Sequence, residues 1–164
     1  MPNSLSRIRI SLRLTKLLTI KIFFTEVMDD IKKLEQLAQE TINELKIMHQ
    51  PIVRVCGPLT TGGFGYEENA RRLTAATAEL KRRGYSVFDW EPSEAHIKDM
   101  NLPHSVVMEK FHKPVLASGY IKTAFFLSKW EESKGATWER NFARENTHMT
   151  IEEFPEEWFE HPKS

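Results

Sequence analysis

Three short apolar runs rich in β-branched and aromatic residues, IVRVCGPL (52–59), YSVFDW (85–90) and YIKTAFFL (120–127), are separated by segments with helical spacing. This alternation constrains the fold more than any other feature. A strand that is apolar along its whole length is covered on both faces, which is the habit of parallel sheets. The residues between one run and the next provide the crossover that a parallel pair requires. Strand, helix and strand in this order predict an α/β domain with a parallel sheet in a three-layer sandwich.

The helices are read from periodicity. Ile31, Leu34, Leu37, Ala38, Ile42 and Leu45 recur at three- and four-residue spacing within 29–48, so residues 28–50 are expected to form an N-terminal amphipathic helix ended by Pro51. A helix over 66–84 carries an apolar Leu73, Ala76, Leu80 face and ends at Gly84, and further helices are expected over 104–118 and 135–145. The main domain is taken as 51–164. Residues 1–27 are basic and Ser/Leu-rich, with Arg7, Arg9, Arg13, Lys16 and Lys21 against Glu26 alone. They are read as a poorly ordered or dispensable tail, with an organelle-targeting peptide, translation upstream of a true start at Met28, and a packed arm as alternatives. At the other end, Glu152, Glu153, Glu156, Glu157 and Glu160 stand against Lys163, and Phe154, Trp158 and Phe159 are expected to pack on the core.

Charge and composition exclude several function classes. The 164 residues carry 23 basic and 23 acidic side chains, so no global basic field draws nucleic acid, and no nucleic-acid-binding motif is present. No run of about 18 apolar residues announces a membrane span. Cys56 is the one cysteine and lies in a strand-like run, which predicts a core thiol and a reducing cytoplasm. His96, His104, His112, His148 and His161 are scattered without ligand spacing, so neither metal nor cofactor is expected.

Chemistry is concentrated in two loops that follow predicted strands. In parallel sheets, ligands sit beyond the carboxyl ends of the strands, where helix N-termini present free N–H groups to anions. The first loop belongs to CGPLTTGGFGYEENARR: Gly57, Pro58, Gly62 and Gly63 permit close backbone approach, and Thr60, Thr61, Tyr66 and Asn69 offer side-chain hydrogen bonds. It has neither the Lys-Ser/Thr of a P-loop nor dinucleotide glycine spacing, so a plain surface turn competes with a binding loop. The second is WEESKGATWE (130–139). Ser133 and Gly135 can present a hydroxyl and N–H groups to a phosphate, and Glu139 lies one helical turn beyond Gly135 on the same face. The competing reading makes Ser133 a helix N-cap and Glu139 an acid favoured by the helix dipole.

Together VCGPLTTGG, ELKRRGYSVFDWEP and FFLSKWEESKGATWE resemble the nucleoside 2-deoxyribosyltransferase superfamily, in particular its bacterial and phage-borne branch related to nucleoside 5′-monophosphate N-glycosidases. The resemblance spans roughly residues 52–145. It implies a doubly wound, flavodoxin- or Rossmann-like sheet and a homodimer or higher homo-oligomer. Glu139 matches the family's glutamate that attacks the anomeric carbon of a (deoxy)ribose. Gly57, Pro58, Thr60, Gly62, Gly63, Tyr66, Asn69, Trp130, Ser133 and Gly135 would surround a nucleoside or nucleotide. Ser133, where transferases of free nucleosides carry aspartate, points to a 5′-monophosphate, since a second anion there would repel phosphate.

Two departures accompany the match. Thr137 replaces a glycine of the monophosphate enzymes. Pro114 stands about where the family's proton-donating aspartate is expected, leaving Glu109, His112, Asp89 and Glu91 as substitutes with nothing to choose among them. The expected function is therefore hydrolysis or transfer at an N-glycosidic bond. A nucleotide-binding module without catalysis and a purely structural protein are the alternatives.

Overall fold

The computed structural model describes residues 4–146 and 148–160; residues 1–3 of the basic tail and His161 lie outside them. Four strands, β1 (Ile52–Cys56), β2 (Ser86–Phe88), β3 (Ile121–Phe126) and β4 (Thr150–Glu153), form one sheet in the order β2-β1-β3-β4. All three pairings are parallel. From β1 the chain moves one way to β2 and then the other way to β3 and β4, so the order reverses between β1 and β3. The three expected strands are present. The fourth was not read, because Thr150–Glu153 holds two glutamates and one apolar residue, a composition an edge strand tolerates.

The twofold strand period separates two cores. Val53, Val55, Val87, Phe125 and Leu127 face α2 (Tyr66–Arg82), meeting its Leu73, Ala76 and Leu80. Ile52, Cys56, Phe88, Ala124 and Phe126 face the opposite way, into a larger core built on α1 (Ser4–Ile47) and the segments after β2. Cores on both faces of a parallel sheet are compatible with a three-layer α/β sandwich. By the same alternation Arg54, between Ile52 and Cys56, points into the second core and is buried there.

Helix α1 differs from the expected boundary. It runs unbroken for 44 residues, and no glycine or proline lies between Ser4 and Ile47 to separate the tail from the expected helix. Leu34, Ala38 and Leu45 are buried, as their spacing required, whereas Leu14, Leu17, Ile20, Phe23 and Phe24 are more than half exposed. The segment after β2 forms α3 (Glu91–Lys98). The helix expected over 104–118 is three pieces: α4 (His104–Val107), a π-helical segment (Met108–His112) and α5 (Lys113–Ala117). Pro114 explains the widened turn, since it has no N–H to continue the regular ladder at that place. After β3, a 3₁₀ turn (Trp130–Glu132) leads into α6 (Lys134–Glu145), and α7 (Glu157–Glu160) follows β4. Phe154 is buried on the α2 side with Trp158 and Phe159 against it, the packing anticipated for the acidic end. Among the described residues, no helix is long and apolar enough to cross a membrane.

Candidate functional site

The two sequence motifs come together. The Lys134 N–H donates to Thr61 Oγ1 at 3.1 Å, and the Gly63 N–H donates to Glu132 Oε2 at 2.9 Å, so the loop after β1 is stitched to the turn after β3. Asn69 holds the first loop in shape: its Nδ2 donates to the carbonyls of Leu59 (3.2 Å) and Gly62 (3.0 Å), and its Oδ1 accepts from the Phe64 N–H. The paired glycines serve this packing. At φ 70° a side chain on Gly62 would run into the Glu132 backbone, and one on Gly63 would strike Asn69 and Pro58.

Beyond the carboxyl ends of β1 and β3 this assembly walls a cavity of about 380 Å³. Gly57, Thr60, Ser133, Gly135 and Glu139, all anticipated from the sequence, line it. Pro58, Gly62, Gly63, Tyr66, Asn69 and Trp130 do not. Asn69, Gly62 and Gly63 are engaged in the loop as described. Tyr66 is exposed, with Lys98 Nζ 5.8 Å from its ring centre. Trp130 packs edge-on to Phe126 at 6.0 Å with the Arg140 guanidinium over its ring. Trp138 stacks on Phe142, so neither of these tryptophans fills the cavity.

Ser133 is the N-cap of α6. Its Oγ accepts the Ala136 N–H at 3.2 Å, the competing reading of this residue, yet the hydroxyl lines the cavity and keeps its proton to donate. The Thr137 N–H closes on the Ser133 carbonyl, which leaves the Gly135 N–H as the first-turn donor available to a ligand. A Cβ on Gly135 would stand 3.5 Å from the His104 ring, ordinary contact across the cavity.

Glu139 is buried on the cavity wall, with 6% of its surface accessible, and forms an ion pair with Arg54 Nη2. This hydrogen bond falls on Oε1, and His112 Nδ1 approaches the same oxygen at 3.8 Å. No nitrogen donor among the described residues bonds Oε2. Burial is the largest single influence on Arg54 and opposes its charge, but the Glu139 carboxylate together with Cys56 and Glu94 outweighs it and holds the guanidinium above its ordinary range. His112 lies 3.3 Å from Arg54 Nη2 through Nδ1. Burial, reinforced by Arg54 and His104, drives its imidazole well below the usual histidine range, so it is neutral and accepts this bond. Burial likewise raises the Cys56 thiol, with the Glu139 charge in support, which keeps it a protonated core group.

No family model, curated protein or solved structure matches this chain. The site therefore has to be read from its own chemistry. Arg54, Glu94, His104, Phe88 and Trp90 also line the cavity and were missed in the sequence. Arg54 had a signal: a lone charge inside the buried run IVRVC needs a partner, and Glu139 supplies it. Phe88 and Trp90 were read only as strand residues. Of the substitutes for the absent aspartate, His112 alone reaches the cavity. Glu109 is paired with Lys113 at 2.6 Å, Asp89 with Lys81 at 2.9 Å, and Glu91 bonds Thr74.

Proposed function

We propose that this protein cleaves the N-glycosidic bond of a nucleoside or nucleoside 5′-monophosphate through Glu139, passing the sugar to water or to a second base. The observation that carries the reading is the buried Glu139 carboxylate on a cavity wall shared with Gly57, Thr60, Ser133 and Gly135. As the base departs, C1′ develops oxocarbenium character, which a nearby carboxylate stabilises and then captures. Arg54 fixes Oε1 of Glu139, and Oε2, which takes no bond from Arg54, is assigned the attack on C1′. In this reading the Ser133 hydroxyl and the Gly135 N–H at the start of α6 hold the 5′-phosphate. Phe88, Trp90 and Phe111 offer an apolar surface suited to a planar base.

The same reading takes the sheet as doubly wound and flavodoxin-like, with the ligand at the reversal between β1 and β3. It also takes the protein as a cytoplasmic homo-oligomer. A second function has one observation in its favour: the Arg54 ion pair neutralises Glu139, as would suit a nucleotide-binding module without turnover.

Base release measured by chromatography over a panel of nucleosides and their monophosphates separates the two. The enzyme releases base from at least one compound, and Glu139→Gln removes that activity by about 10³-fold or more, the scale on which covalent catalysts depend on their nucleophile. Nucleotide binding by calorimetry without turnover in either protein would leave the module.

A further inference from the structure

An N-glycosidase has to hand a proton to the departing base, and Pro114 stands about where the resemblance leads one to expect an aspartate for this. Among the described residues, two carboxyl groups line the cavity, Glu139 and Glu94. Glu94 sits on the first turns of α3, half-buried, next to the inward-facing Ser93 and Ile97. Unlike Glu139 it makes no ion pair and its carboxyl no hydrogen bond among the described residues. Arg54 from β1, Lys98 one turn along α3 and His104 from α4 all face it and favour the anion, with Glu139, His112 and Cys56 elsewhere on the same wall. Burial is the larger influence, and it holds the Glu94 carboxyl above the ordinary glutamate range. One cavity thus holds one carboxyl in an ion pair with Arg54 and another that is unpaired and pushed upward by burial, the kind of contrast that divides nucleophile from acid.

We propose, resting on the N-glycosidase reading above, that Glu94 is the proton donor to the leaving base. As Glu139 Oε2 forms its bond to C1′, the electron pair of the C1′–N bond passes to the base and the Glu94 carboxyl proton moves to a base nitrogen. The products are a glycosyl ester on Glu139, a neutral free base and a Glu94 carboxylate. That carboxylate then takes a proton from the water that attacks C1′, which restores both glutamates and releases the sugar. When a second base is the acceptor, its proton returns to Glu94 by the same route.

The test is Glu94→Gln and Glu94→Asp, assayed beside wild type and Glu139→Gln on guanosine monophosphate and its N7-methyl derivative. The methylated base is already cationic and leaves without protonation. For a proton donor, Glu94→Gln lowers kcat/KM on the unmodified nucleotide by about 10²–10⁴-fold and on the methylated one by less than about fivefold. Glu94→Asp recovers part of the loss, and the alkaline limb of the wild-type pH profile disappears in Glu94→Gln. Equal losses on both substrates, or no loss on either, overturn the role of Glu94 while leaving Glu139 in place. If wild type releases no base from these two or from any other compound of the panel above, the glycosidase reading and this inference fall together.

Discussion

Arg54 and Glu139 depend on each other, because each is an ion removed from water with little other compensation. Arg54 Nε and Nη1 have no hydrogen-bond partner and are buried, so the guanidinium rests on Glu139, His112 and the nearby Phe88 ring. Replacing Arg54 by Met strands the carboxylate and is expected to cost about 3–5 kcal/mol in urea unfolding. The double replacement Arg54→Met with Glu139→Met should recover most of that loss. His112 gives a pH signature. Its folded pKa is depressed, so its contribution is complete above the unfolded value near 6.5 and is lost as pH falls below it, when the unfolded chain takes up the proton first. Melting temperature should therefore drop between about pH 7.5 and pH 5, and His112→Gln should flatten that slope.

At the scale of elements, the loop after β1 and the start of α6 behave as one piece. Gly62→Ala would force a side chain into the Glu132 backbone at a left-handed φ, and a loss of about 2–4 kcal/mol in thermal or urea unfolding is expected. Ser133→Ala removes the α6 cap and should cost about 1 kcal/mol. Ser133→Asp keeps a capping oxygen but adds a negative charge beside the Gly135 N–H. It should hold its stability while weakening binding of monophosphates far more than of nucleosides, as measured by calorimetry. These elements were legible to unequal degrees. The Ser133 cap and the placement of Glu139 one turn along α6 follow from spacing. The Asn69 scaffold was not visible, because a buried asparagine bonding its own loop looks in sequence like one displayed for a ligand. Glu94 escaped notice because α3 is only 8 residues long and its inward side is set by tertiary packing rather than by an apolar stripe.

For the whole molecule, the parallel sheet was legible because three of its strands are continuous apolar runs, whereas the glutamate-bearing edge strand carries no such mark. The N-terminal helix was legible only over the part whose side chains meet the core. From residue 14 to residue 26 those side chains are exposed, including Phe24 at 66% and Leu17 at 63%. Little apolar burial is lost with residues 14–26 of the arm, so a chain of residues 28–164 is expected to melt within about 2 °C of the full-length protein. Light scattering on both chains would show whether assembly depends on it: exposed apolar side chains of this extent favour self-association of the full chain alone.

The position of Arg54 on a strand rather than in a loop has a bearing on redesign. Exchanging the flanking loops to reach other substrates would alter the rim of the cavity, yet the ion-paired floor would stay, because Arg54 is set by the register of the sheet. Variants that need a floor without charged groups would have to change β1 and α6 in the same step.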